Sequence, residues 1–389
     1  MPVTVVPVRG RRALARFIGL PWQLVDRRVY PQWVPPLRAA VADALDVRGN
    51  PFYQEAEREL FLAYRDGRPV GRIAAIHNRR HNAFHDDRVG FFGFFETVDD
   101  AEVVRALLDA ATDWLRARGL DRMRGPVSPS TNHECGLLVE GFETHTAFMT
   151  AWNPPFYERA LEAAGLEKAK DLLGFWIPFD GTFALAERWQ RIVERARDRE
   201  TFTFRLVDRK DYQRDSERAW EVYNGAWEKN WGFVPMSRAE FMHMAAQLKP
   251  LLLDEFVHFA EIDGEPVGLA ISLPDYNLTL KRVPGGRLLF ALPMLLRDRK
   301  RIRHGRAMML GVKERFRSRS VYFVMLDEAI KRAQAYGAVG TEASWILEDN
   351  HRMLAFLEQG GLAPTKRWRI YERRVPGAGP VLRSDPVPG

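Results

Sequence analysis

The sequence predicts an α/β protein with mixed sheets, laid down as two similar halves. Three observations carry that expectation. The 389 residues exceed the usual size of one hydrophobic core. Short strand patterns flank two matching turns, "DGRP" at 66–69 and "DGEP" at 263–266. After each turn the same order returns: strand, long amphipathic helix, strand, short helix and a closing extended segment.

Each element has a local reason. In the first half "LFLAYR" and "VGRIAAI" form the hairpin, and "RVGFFGFFE" reads as a buried strand. The helix "AEVVRALLDAATDWLRARGL" has Asp99 or Asp100 as its N-cap and stops at Gly119. "RMRGPV" is the next strand, and residues 153–179 supply the closing helix and extended segment. In the second half "RAWEVYNGAWEKNWGF" and "SRAEFMHMAAQLKPLL" space apolar residues near 3.6, with Ser237 and Glu240 in a capping box. The hairpin "FVHFAEI"/"VGLAISL" and the strand "RAMMLGV" follow. A helix ends at Gly337, "VGTEASWIL" is a strand, and 350–375 closes the half. The join falls in "ERARDRETFTFRLVDRKD", which gives a first unit of 1–195, a second of 196–375 and a flexible Pro/Gly-rich tail at 376–389.

Composition narrows the function classes. Hydrophobic residues make up 46% and charged residues 28%, and no run approaches the roughly 20 apolar residues of a membrane span. The N-terminal stretch lacks the apolar core and cleavage site of a secretory signal, so a cytoplasmic location is expected. Cys135, the single cysteine, allows no internal disulfide and fits a reducing compartment. The net charge of +7 is concentrated: Arg287, Arg297, Arg299, Lys300, Arg301, Arg303 and Arg306 stand against Asp298 alone. Such a stripe attracts nucleic acid, anionic headgroups or cofactor phosphates, with a solvated face as the plain alternative. Its apolar prelude "LLFALPMLL" lies in a connection of about 30 residues where a short one would do, which suits contact with an anionic membrane at the inner face or a cover over a greasy chain. Nucleic acid is the less expected partner.

The order of elements, the segment "GVKERFRSRS" between strand and helix, and Asn350, Met353, Phe356, Gly361 and Leu362 in the last helix together resemble the GNAT superfamily of acyl-CoA N-acyltransferases, in tandem. The first half matches less well, since Gly165 is one place late after Asn153 and no phosphate turn precedes its helix; that half is expected to be structural or substrate-binding. "EVYNGAWEKNWGFVPMS", "GPVSPSTNHECGLLVEGF", "NPPFYE" and "EASWILEDN" narrow the likeness to a bacterial family that includes ceramide synthases. The resemblance implies transfer of a long acyl group from acyl-CoA or acyl carrier protein to the amine of a sphingoid base, with no metal. Two alternatives stay open: an aminoacyl-tRNA-dependent transferase of the peptidoglycan-bridge type, and an inactive GNAT-fold protein that binds lipid or a partner.

By that resemblance Val312, Arg315, Arg317, Ser318, Arg319, Ser320 and Asn350 would surround the acyl-CoA. Backbone N–H groups at the helix start would bind its pyrophosphate, with serines where glycines are usual. Amide formation also needs a base. Glu342 is the first choice, sharing a strand face with Ser344, while Glu348 stands near the cofactor turn. The position seven residues after Asn350, a tyrosine in many of these enzymes, is Leu357, so Tyr371 is the expected alternative acid. Asn132 and Glu134 in "STNHECG" would hold the acceptor, and Trp227, Asn230 and Trp231 would line its pocket. A Cys135/His133 nucleophilic pair is not expected, because adjacent residues in extended chain point apart. His77, His81 and His85 are expected in a loop, without metal.

Overall fold

A computed structural model describes residues 2–180, 183, 187–199 and 202–377. Most of the expected tail, 378–389, lies outside them. The strands are β1 (Thr4–Pro7), β2 (Ala56–Arg65), β3 (Arg68–Asn78), β4 (Val89–Thr97), β5 (Arg122–Gly125), β6 (Val127–Ser128), β7 (Glu134–Cys135), β8 (Leu137–Glu140), β9 (Glu167–Pro178), β10 (Thr203–Leu206), β11 (Val257–Ile262), β12 (Glu265–Pro274), β13 (His304–Val312), β14 (Gly340–Leu347) and β15 (Pro364–Arg374).

The two matching turns do what their sequences require. Asp66 and Gly67, and likewise Asp263 and Gly264, all take positive φ (52°, 71°, 51° and 79°), the backbone of a two-residue hairpin turn whose twist suits its strands. Antiparallel β2–β3 and β11–β12 result. Beyond them β4 pairs with β5, and β13 with β14, in parallel, as expected when a helix crosses over between two strands. Those helices are Ala101–Arg116 and Val321–Tyr336. Asp100 caps the first by accepting from the N–H groups of Glu102 and Val103, and Gly337 ends the second with φ of 76°.

The halves do not close on themselves. Among the described residues thirteen strands join in one sheet, whose main path runs β1-β2-β3-β4-β5-β15-β9-β14-β13-β12-β11-β10 with β8 beside β15. β9, the last strand of the first half, pairs with β14 of the second, and β15, the last of the second, pairs with β5 of the first. β9 and β15 pair with each other at the centre. The expected join at 195 falls inside helix Glu187–Arg199, whose Trp189, Val193 and Ala196 pack on Phe323 and Val324 of helix Val321–Tyr336.

Helices cover the second half on both faces. Tyr212–Trp227 and Arg238–Leu248 lie over Phe259, Leu269 and Ile271, whereas Val321–Tyr336 lies over Ala260, Ala270 and Val312. Each large apolar side chain so buried contributes roughly 2 kcal/mol. Ser237 caps its helix by accepting from Glu240 N at 3.1 Å, but the expected box is half made, because the Glu240 carboxylate instead meets Arg80 at 2.7 Å. The three histidines also differ from expectation. His77 lies on β3, while His81 and His85 sit on a short helix, Arg79–His85, started by Asn78, which accepts from His81 N. Strand and helix thereby set His77 apart, while the rings of His81 and His85 lie 4.4 Å from each other.

Candidate active site

The site begins where two strands part. β13 and β14 stay in register from His304–Gly340 to Ala307–Ala343 and then diverge. On the other side of β13 the register slips, so that Ile271 faces Met309 and Ser272 faces Ala307, leaving Met308 bulged out. The gap opens into a cavity of about 600 Å³. Its walls include Trp227, Asn230 and Trp231 on one side, and Arg317, Asn350 and Arg352 beside the helix starts.

The same split exists in the first half, yet there it is filled. β4 slips against β3 between Arg72 and Ala74, and β4 and β5 part after Phe91–Arg124. The chain's own β6 enters the gap. Ser128 Oγ accepts from the N–H of Phe94 at 3.0 Å, and a Cβ on Gly93 would stand 1.5 Å from the carbonyl oxygen of Val127. No side chain fits at Gly93, so only glycine lets β6 close the first split.

On the sheet face away from helix Val321–Tyr336 a buried polar cluster spans the second split. Alternation puts Glu342 and Ser344 together, and Ser344 Oγ donates to Glu342 Oε1 at 2.8 Å. Arg306, paired with Glu342 in parallel register, donates to Ser344 Oγ and to the carbonyl oxygens of Phe148 and Met149 (3.2, 2.9 and 3.0 Å). Burial holds the Arg306 guanidinium down to about 10, with the nearby Glu342 opposing, and burial also raises the Glu342 carboxyl against the pull of Lys366. Asp275 joins from the neighbouring loop, accepting from Phe148 N at 2.9 Å and lying 2.8 Å from His145 Nε2. The stretch 145–149 is thereby tied to the second half.

Glu134 differs from Glu342 in access. Only 6% of Glu342 is exposed, and neither it nor Glu134 lines the cavity, although Ser344 does. The Glu134 side chain is reached by solvent, yet the protein around it, together with Glu96, pushes its carboxyl up to about 7 while Arg306 and Arg72 oppose. The loop leading to β7 leans on the cavity wall: Thr131 Oγ1 donates to the carbonyl oxygen of Gly232 at 2.7 Å. Asn132 is wholly engaged there, donating to the Val234 carbonyl and accepting from Tyr223 Oη, both at 2.9 Å. "STNHECG", expected as loop, ends in the small β6–β7 ladder, with Cys135 buried and its thiol pushed up to about 12 by that burial.

Other expected residues are placed differently. Tyr371 is fully buried in the core of the first half, opposite Gly125 and 3.4 Å from Glu162 Oε1, so it is not brought to the cleft; the exchange of β15 carries it away. Glu348 is held by Lys168 Nζ at 2.5 Å and by Asp171 N at 3.1 Å, an ion-paired end of strand rather than a base beside the gap. Arg315 pairs with Glu265, away from the cavity lining, and Arg317, which lines the cavity, donates to the carbonyl oxygens of Val312 and Ala226. The side chains of Ser318 and Arg319 lie outside the described residues. Ser320 starts helix Val321–Tyr336 with φ of 59°, the left-handed backbone that glycine favours, and makes no side-chain cap. Asn350 Oδ1 accepts from Met353 N at 3.3 Å, Val312 lines the cavity at the end of β13, and Leu357 is buried against it. Sequence reasoning missed Arg306, which it counted with the basic stripe, and Arg352. A polar residue opening the apolar run "RAMMLGV" was the available signal for Arg306.

No family model matches the sequence. The bacterial ceramide synthase of Caulobacter vibrioides is 36% identical over 380 residues, covering 96% of this chain and 98% of that protein. Protein YghO of Escherichia coli strain K12 is 33% identical over 373 residues, covering 94% of each. Among solved structures, a tandem GNAT protein from the clavulanic acid biosynthesis pathway aligns over 97% of this chain and 99% of its own with a TM-score of 0.52 at 13% identity, a likeness of fold.

Proposed function

The chain belongs to the family of the bacterial ceramide synthase and has the tandem GNAT fold, and from that premise we propose that it transfers a long acyl group from an acyl-CoA or acyl carrier protein thioester to the amine of a sphingoid-type base. One observation carries the reading beyond likeness. Of the two equivalent splits, the first is plugged by β6 and the second opens into the cavity, so between them the second is the place for the donor thioester to enter.

The start of helix Val321–Tyr336 suits the donor's phosphates through its backbone N–H groups, since no side chain caps it and Arg352 lines the adjacent wall. The acceptor amine reaches the split from the opposite face. In this reading Glu134 takes the proton: it is solvent-reached, and its carboxyl is raised above the usual carboxylate range, which makes it a better proton acceptor near neutral pH. The amine nitrogen bonds to the thioester carbon, the C–S bond breaks with its electron pair on sulfur, and the proton lifted from nitrogen ends on the thiol. Glu342 and Ser344 hold the guanidinium of Arg306 beside this path, a positioning role that replaces the base role expected for Glu342. Leu357 cannot protonate the thiolate, and Tyr371 is too far into the other core.

The basic segment gives this reading a place to meet lipid. Helix Leu288–Asp298 buries Ala291 and Leu295 but leaves Leu288, Leu289, Phe290, Leu292 and Leu296 exposed, Leu289 by 79%. Arg287, Arg297, Lys300 and Arg301 stand exposed along the same segment, each worth about 1 kcal/mol beside an anionic surface. Arg306 is not part of that surface. Among the described residues no helix is long and apolar enough to cross a membrane. Contact at an anionic leaflet is therefore peripheral in this reading.

Mass spectrometry of the protein incubated with palmitoyl-CoA, or separately acetyl-CoA, and sphinganine tests the activity. N-palmitoyl product is expected, abolished in Glu134→Gln and reduced but present in Glu342→Gln. Absence of product together with absence of acyl-CoA binding would leave the binding-protein reading. Flotation with vesicles of phosphatidylglycerol against phosphatidylcholine tests the surface: Leu289→Asp should lose binding to both, and Lys300→Glu with Arg301→Glu only the preference for the anionic lipid.

A further inference from the structure

Helix Val321–Tyr336 is unevenly packed. Its fully buried residues, Val321, Phe323, Val324 and Met325, all lie in the first turn and a half. Beyond them Leu326, Ala329, Ile330 and Ala333 form an apolar stripe at helical spacing, yet each is only partly buried, and all four line the cavity. A stripe of that kind normally sinks into the sheet beneath it. Here the sheet offers it little. The strand residues on the helix side are Gly305 and Ala307 on β13, facing Thr341 and Ala343 on β14 in direct register. Small residues on both walls leave an apolar channel between helix and sheet, continuous with the split.

The far end is bounded. The rings of Phe256 and Tyr336 meet edge to face at 4.9 Å, and Arg303 lies over the Tyr336 ring at 4.6 Å while its Nη1 donates to the Tyr336 carbonyl oxygen at 2.9 Å. From the bulge at Met308 to the start of β13 at His304 the strand covers about 13 Å, and Arg303 and Ile302 carry the wall on to at most about 20 Å in all. An extended chain of about 16 carbons also spans about 20 Å, at about 1.25 Å per carbon for bonds near 1.5 Å.

We infer that this channel is the binding site for the hydrocarbon chain of the acyl donor, entered at the split and ended by Tyr336 and Phe256. The inference rests on the acyl-transfer reading and adds to it a place for the chain and a measure of its length. A curved or unsaturated chain of similar length would also fit, but a two-carbon acyl group would leave the channel empty. Ala333 lies three residues before Tyr336, about 4.5 Å along the helix axis, which corresponds to about four carbons.

The experiment compares donors from acetyl-CoA to stearoyl-CoA on the wild type and on Ala333→Phe, with sphinganine as acceptor and direct binding of each acyl-CoA measured alongside. Each methylene denied burial costs about fourfold in affinity. Ala333→Phe should therefore weaken palmitoyl-CoA by up to about 200-fold while leaving decanoyl-CoA and acetyl-CoA within twofold. Tyr336→Ala, which opens the end, should extend the accepted length by several carbons. Equal weakening of acetyl-CoA and palmitoyl-CoA in Ala333→Phe would mean that the space holds the pantetheine arm, and the inference falls. An unchanged length profile in both variants, each checked for folding by circular dichroism, overturns it as well. Should wild type transfer nothing but still bind palmitoyl-CoA far more tightly than acetyl-CoA, with Ala333→Phe erasing the difference, the channel stands and the transfer reading fails.

Discussion

Removing Arg306 is the sharpest test of how the second split is held. The guanidinium is buried and touches four acceptors on two segments: Ser344 Oγ, Ser344 O, and the carbonyl oxygens of Phe148 and Met149. Arg306→Ala strands those groups and removes one of the two cations, with Lys366, that act on the buried Glu342. Breaking a buried charge pair from one side costs about 3–5 kcal/mol. With about 2.1 cal/mol/K of unfolding entropy per residue, a chain of 389 residues unfolding as one unit carries about 0.8 kcal/mol/K, so 4 kcal/mol lowers Tm by about 5 °C. Glu342→Gln alone should cost less, because a neutral amide keeps one acceptor for Ser344 and removes a charge that burial already disfavours. The double variant Arg306→Ala/Glu342→Gln then recovers about half the loss of the arginine variant. Calorimetric unfolding of all four proteins closes the cycle. Additive effects, within about 0.5 kcal/mol, would refute the claim that Arg306 and Glu342 act as a pair and leave the carbonyl contacts as the whole effect.

Three further outcomes follow from single positions. Ser320 holds a left-handed φ of 59° at the start of helix Val321–Tyr336, so Ser320→Gly should raise stability by up to about 1 kcal/mol with acyl-CoA affinity kept, and loss of affinity would show that the hydroxyl itself binds phosphate. Tyr371→Phe should leave kcat within twofold across pH 6–9 while costing about 1 kcal/mol of stability; a collapse of kcat would put the hydroxyl back in the chemistry. His258 is only 2% exposed, and burial depresses its pKa to about 4. Its folded value lies below the unfolded value of about 6.5, so its contribution, on the order of 3 kcal/mol, is fully present above pH 6.5 and is lost as pH falls toward 4. Stability of His258→Phe against pH should be flatter over that window than that of the wild type, and an identical slope would count against the burial argument.

Elements set by neighbouring residues were legible in the chain. The Asp-Gly turns, the cap at Asp100, the stop at Gly337 and the pairing of Glu342 with Ser344 on one face all follow from local backbone preferences or from the period of a strand. Helix Arg79–His85 was hidden because two turns give too little periodicity, and its cap, Asn78, sits at the end of a strand.

By itself the sequence determined the doubled plan, the order of strands and helices within each half, and the likeness that points to acyl transfer. Tertiary structure alone decided which strands are neighbours at the centre. Strand alternation says which face a side chain takes and nothing about the partner beside it, so the exchange of β9 and β15, and with it the removal of Tyr371 from the site, could not be read along the chain. It also decided which split stays open. That depends on Val127 crossing Gly93 in one half and on Gly305, Ala307, Thr341 and Ala343 standing opposite a helix in the other. Both are close approaches between residues distant in sequence, and no local preference encodes them.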